Sequence, residues 1–431
     1  MADEQLLDKI HSLSDLELAA LLCLIAREHC LISTEPDSVD ELAEELRLVA
    51  STTFNLNSAV VSCHSHTTLD DFATGLLVQP AYTPPSPANT RSVSPYRPRH
   101  EPQASTGGPA SSTGSYFPIS PSPRIGGPMS PSSPAVGGAS SSQILQPRIA
   151  NVILAKDLDR APRAVQIQAL ELLRTRRIFT RTSVQTAPKQ FLFIALVGAA
   201  SGGQARVTPH INDFFYLGHW HDPEEDGFPC LEEELGRQND DRDDDAASTT
   251  SSSSVVKINL HSPPSTSTGL GLDSKWLTRN NSTRTSSTSS TAPRRNDSPP
   301  VFTEVDISHL SLLSQTTHTS VAVTRYQANI AAFLRTHRAV APGSVTPAAT
   351  AHLARLCRSL APLHGLDYVT PSLVALAARK VYLHRIQVVD DPSKERSVQW
   401  GSDVGMVRGM LEGVGAEEVL DEVLGAVGVP G

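Results

Sequence analysis

The chain has 431 residues, 39% hydrophobic and only 5% aromatic, with a formal net charge of −9. So few aromatics point to long unfolded segments, and an acidic balance without any basic block excludes a nucleic-acid groove. Five scattered cysteines without CxxC spacing (Cys23, Cys30, Cys63, Cys230, Cys357) fit reduced thiols in a soluble intracellular protein, as do the missing leader and the missing apolar run of about 18 residues.

Residues 4–30 carry a helical rhythm through Leu6, Leu7, Ile10, Leu13, Leu16 and Leu21. Ser14, with Glu17 three residues on, has the capping-box spacing. A strand-like run from Arg27 to Ile32 follows, then an amphipathic helix from about Ser38. Ser58 to Cys63 reads as a short strand, and His66 to Leu77 as a capped turn and helix. Residues 79–143 are crowded with Pro, Ser, Gly and Thr and lack any apolar period, so they are expected to be disordered. Ser94, Ser120, Ser122, Ser130 and Ser133 each precede a proline. Kinases use that pattern, and a Ser/Pro-rich composition also produces it unaided.

Ile149 to Leu154 is an apolar run of the kind a strand buried on both faces shows. A polar turn, Lys156 to Asp159, leads to Pro162 at the first turn of a helix, where a missing N–H costs nothing. To Arg174 the apolar residues Val165, Ala169, Leu170, Leu172 and Leu173 recur at helical spacing. A second buried strand, Phe191 to Val197, completes a crossover unit of a parallel sheet. Residues 237–300 form a second linker, acidic at NDDRDDD and then Ser/Thr-rich, whose like charges keep it extended and solvated. From Val301 onward the pattern is almost wholly helical. Gly365 closes one helix at C′, Thr370 and Pro371 cap and open the next, and residues 415–427 form a last short helix.

Several segments resemble, in wording as well as period, the MoxR and magnesium-chelatase I-subunit branch of the AAA+ ATPases. They are QPRIANVILAKDLDRAPRAVQIQALELL (146–173), AREHCLI (26–32), VVSCHSHTTLDDF (60–72) and HGLDYVTPSLVALAARKVYLHRI (364–386). The resemblance implies an α/β fold, a P-loop-type parallel-sheet core of residues 1–78 and 144–236 split by the insertion 79–143. After the linker it implies an α-helical lid over 301–431.

It also implies where a nucleotide site lies. A phosphate loop needs glycines whose N–H groups curl around phosphate, a lysine to neutralise it and a hydroxyl for Mg²⁺. On that register the glycine positions hold Thr34, Asp37 and Val39, the lysine position Asp40 and the hydroxyl position Glu41. An opposite charge at about 4 Å attracts by about 4 kcal/mol at an effective dielectric of about 20, so aspartate for lysine turns attraction into similar repulsion. The paired metal-binding acids fall on Lys156 and Asp157, the phosphate-sensing Asn on Gly198, the Arg that reaches a neighbouring subunit on Asp213, and the lid Arg on Ala348. A Lys156–Asp40 salt bridge, partly buried, is expected across the site. Breaking it is expected to cost about 3 kcal/mol.

Two functions follow from the resemblance. One is a non-hydrolysing scaffold or assembly module with no cofactor, whose partners are proteins, AAA+ homologues among them, and neither nucleic acid nor membrane. The other is an ATP-dependent subunit of a magnesium-chelatase-like complex using ATP and Mg²⁺. Five changed positions favour the first. No catalytic residue and no metal site is assigned, because the Cys63–His66 and His219–His221 clusters match no zinc-module spacing.

Overall fold

The computed structural model describes residues 4–78, 147–180, 183–199, 207–236 and 300–430. Both linker expectations, 79–143 and all of 237–300 except Pro300, lie outside these residues.

Five parallel strands form the central sheet: β1 (His29–Thr34), β2 (Ser58–Ser62), β5 (Val152–Lys156), β8 (Leu192–Gly198) and β9 (Phe215–Trp220). Their order across the sheet is β2-β5-β8-β1-β9, and each pairing is parallel. Helices therefore cover both faces, as a parallel sheet requires. Alternation divides the strand side chains between two apolar cores. Ile32, Leu154, Ile194 and Leu196 pack with α2 (Asp15–Ala26), α3 (Val39–Thr52) and the C-terminal helices. Leu31, Ile153, Phe193 and Val197 pack with α4 (Leu69–Gly75) and α5 (Arg163–Thr175).

The capping box reads as expected: Ser14 accepts from the Glu17 N–H and Glu17 accepts from the Ser14 N–H, opening α2. α1 (Glu4–His11) is a separate helix before it. One strand boundary differs from the sequence pattern. Arg148–Ile149 (β4) pairs antiparallel with Leu77–Val78 (β3), and β5 starts only at Val152. Between them Asn151 donates its side-chain amide to the Gln190 carbonyl at 2.9 Å, turning the chain from one sheet to the next. Pro162 sits at the N-cap of α5 rather than inside its first turn. A two-stranded hairpin, β6 (Arg177–Phe179) with β7 (Val184–Thr186), precedes β8. Its short strands carry no pattern legible in sequence.

α6 (Pro209–Asn212) precedes β9, and α7 (residues 229–236) follows it. Glu45 of α3, 1% exposed, accepts from the N–H groups of Cys230 and Leu231 at 3.1 and 2.8 Å. A carboxylate is favoured there because the first N–H groups of a helix have no partners of their own.

The C-terminal region is helical: α8 (Glu304–Thr316), α9 (Val321–Thr336), α10 (Pro347–Leu363), α11 (Pro371–Tyr382), α12 (Val404–Leu411) and α13 (Ala416–Ala426). Gly365 at φ 68° and the Thr370 cap behave as read from sequence. These helices share the first apolar core with α2 and α3, so lid and core form one packed body.

Candidate functional site

The β1–α3 turn stands where the resemblance places a phosphate loop. β1 ends at Thr34, Pro36–Ser38 makes one turn of 3₁₀ helix, and α3 begins at Val39. Proline at the start of that turn fixes its backbone, and the turn contains no glycine to let the chain open around an anion. Thr34 pairs with Gly198 at the tips of β1 and β8. A Cβ built on Gly198 would lie 2.9 Å from the Pro36 Cα and 3.4 Å from Val39 Cγ2. The turn thus folds down onto the end of β8, and only glycine fits beneath it. Thr34 Oγ1 is buried there, with no hydrogen-bond partner among the described residues.

Asp37, Asp40 and Glu41 are exposed around this turn. Lys156 Nζ contacts Asp40 Oδ1, joining the end of β5 to the first turn of α3. The Lys156 side chain is 17% exposed but that of Asp40 is 80% exposed. The contact is present as expected, but half of it stands in water. A solvent-exposed ion pair is worth about 0–1 kcal/mol, so the cost of about 3 kcal/mol expected for breaking a buried pair does not apply. Asp157 takes φ 51°, donates its N–H to the Leu196 carbonyl at 2.8 Å and pairs with Arg160 at 3.5 Å.

Asp213 and Ala348 belong to a second cluster, at the seam between core and lid. Thr346, the N-cap of α10, donates its hydroxyl to Asp213 Oδ1 at 2.5 Å, and Ala348 lies in the first turn of that helix. Arg385, which follows α11 and is 2% exposed, reaches Asp213 Oδ1 at 3.6 Å. It also donates to the carbonyls of Val381, Asp213 and Phe215 at 2.5, 3.2 and 2.5 Å. Burial lowers its pKa to about 10 while Asp213 opposes that shift. Asn212 donates to the His384 carbonyl at 2.7 Å, and a Cβ on Gly218 of β9 would lie 2.7 Å from His384 Nδ1. The lid is thereby clasped to the ends of α6 and β9. Sequence reading identified the HRI segment as lid signature but not Arg385 and His384 as its clasp.

The two histidine clusters hold no metal geometry. Among the described residues no group of three or more His, Cys, Asp or Glu side chains is placed to hold an ion. His219 Nδ1 lies 2.8 Å from Lys380 Nζ. Burial, with help from that ammonium, pushes its pKa down to about 3. His64 Nδ1 lies 2.7 Å from the Thr67 hydroxyl, within its own turn.

Residues 332–402 match the family of AAA lid domains. The fold is similar to a crystal structure from Cytophaga hutchinsonii described as that of a "putative ATPase", at 11% identity and a TM-score of 0.55. The similarity covers 99% of this chain and 94% of that one. No curated protein matches the sequence. The chain therefore has the AAA+ α/β fold with a helical lid. Among the described residues, no helix is long and apolar enough to cross a membrane.

Proposed function

We propose that this protein is an AAA+ scaffold of the MoxR and magnesium-chelatase type that neither turns over ATP nor depends on it, and that serves as an assembly module for protein partners. The observation that carries this reading is the packing of Pro36 and Val39 against Gly198. The space at the tips of β1 and β8 is filled by the chain's own turn. The charge pattern agrees: Asp37, Asp40 and Glu41 surround that turn and Lys156 is engaged by Asp40. A Mg²⁺-bound triphosphate needs backbone N–H groups and a cation at that place, and in our reading these residues do not fit it. The C. hutchinsonii protein's description as an ATPase is the argument for the alternative, an ATP-dependent subunit. At 11% identity it speaks for the fold alone.

Asp213 has a consequence for assembly. In the resemblance this position serves a neighbouring subunit, whereas here it is engaged within the chain by Thr346 and Arg385. Light scattering on the purified chain tests this. The expected result is one molar mass with and without Mg·ATP. A ring that forms only when Mg·ATP is added contradicts the reading.

A further inference from the structure

The β6–β7 hairpin breaks the alternation that an antiparallel pair with one covered face ordinarily shows, apolar side chains inward and polar ones outward. Ile178, on its inner face, is 1% exposed and belongs to the second apolar core. Arg177 and Phe179 lie on the outer face, since successive side chains of a strand alternate. Across the pair Phe179 stands opposite Val184, and Arg177 opposite Thr186. Phe179 and Val184 are 56% and 54% exposed.

The charge around this apolar pair is one-sided. Residues 160–189 carry seven cations and one acid, Glu171, in a chain whose 45 acidic residues outnumber its 36 lysines and arginines. β6 lies beside α5 and β7 beside β4, so Arg174 near the end of α5 and Arg148 in β4 flank the hairpin that carries Arg177. All three arginines are exposed, and their guanidinium groups have no partner among the described residues.

Two features select the occupant's chemistry. Guanidinium groups match carboxylates in charge and geometry, and an exposed Phe–Val pair favours apolar side chains. An acidic protein segment with apolar residues meets both demands. Nucleic acid meets only the first, because the centre of the face is an apolar pair and not a row of cations along a phosphate backbone.

We propose that the outer face of the β6–β7 hairpin, with Arg148 and Arg174 beside it, docks an acidic segment of a partner protein. Apolar side chains of that segment cover Phe179 and Val184, and its carboxylates pair with the three arginines. Aromatic and arginine side chains carry much of the binding energy of protein interfaces, and this face brings both together. It gives the assembly module proposed above a docking surface. The hairpin leads into the start of β8, whereas the β1–α3 turn packs on its end, so the two are separate.

The test is selection of a random peptide library on the full chain without nucleotide, followed by fluorescence polarisation of the enriched peptides. The expected peptides are acidic with apolar residues, and their binding weakens as salt screens the exposed charges. Two variants read the two halves of the face, with circular dichroism checking that each is folded. Arg174→Glu combined with Arg177→Glu, and separately Phe179→Ser, are each expected to weaken binding at least about tenfold, as loss of a central interface contact does. A selection that enriches no acidic peptide overturns the proposal, as do acidic peptides that bind both variants as they bind the parent. A short single-stranded DNA that displaces the peptides, and is itself weakened only by the arginine changes, shows a phosphate site and overturns it too. Should Phe179→Ser not fold, the arginine pair decides alone. Failure here leaves the reading of the β1–α3 turn untouched, since that turn is judged by titration with ATP.

Discussion

At the scale of single residues, Gly198 is where the β1–α3 turn packs onto the end of β8. A side chain there has no room while Pro36 stays in place, its Cα 2.9 Å from the Cβ position. Gly198→Asn puts back the residue type the resemblance expects. It is predicted to destabilise the fold by about 1–3 kcal/mol, the usual cost of overpacking, and to restore no ATP hydrolysis. Urea denaturation together with a phosphate-release assay reads both. A Gly198→Asn variant as stable as the parent shows that the turn is free to move. Gly198, Asp40 and Lys156 were all legible as departures from a pattern, and so was the Lys156–Asp40 contact. The exposure of Asp40 was not, because helix register alone does not say how much water reaches a first-turn side chain.

At the scale of elements, the clasp between lid and core rests on Arg385. It replaces water with three carbonyls and a nearby carboxylate, so its removal leaves several buried acceptors unpaired. Arg385→Met is predicted to cost about 3 kcal/mol or more. Hydrogen exchange is expected to quicken in α11 and β9 while β2 and β5 stay protected. Uniform exchange across all these elements contradicts the clasp. The helices themselves were plain in sequence, since long amphipathic periods and Thr or Ser caps are strong local signals. The clasp was not, since it joins Asp213 to Thr346 and Arg385, far along the chain, and no local period encodes such a contact. The β6–β7 hairpin and α12 were missed for a related reason: strands of three residues and an eight-residue helix offer too few positions for a pattern to repeat.

At the scale of the whole molecule, buried histidines set an acid limit. Burial, first of all, lowers the pKa of His29 and His219 to about 3 and that of His352 to about 4, against an ordinary value of 6.5. His384 is lowered well below its ordinary value for the same reason. Below about pH 6.5 the unfolded chain takes up protons that the folded chain refuses, so stability is full above that pH and falls as pH drops toward about 4. Each such histidine contributes a loss that steepens as pH drops below about 6.5, approaching about 1 kcal/mol per pH unit. The urea midpoint is therefore expected to fall steeply between about pH 6.5 and about pH 5. A midpoint constant over that range contradicts the neutral, buried placement of these rings.

Nucleotide is what divides a scaffold from a working ATPase on this fold. The parallel sheet and the helical lid were legible in the sequence, the ten nucleotide-site positions are what the resemblance implies, and the packing of the β1–α3 turn onto Gly198 came only with the structure. Calorimetric titration of the purified full chain with Mg·ATP therefore separates the two readings. The predicted result is no heat of binding beyond dilution. A micromolar dissociation constant that is lost on altering the Ser33–Glu41 turn contradicts it.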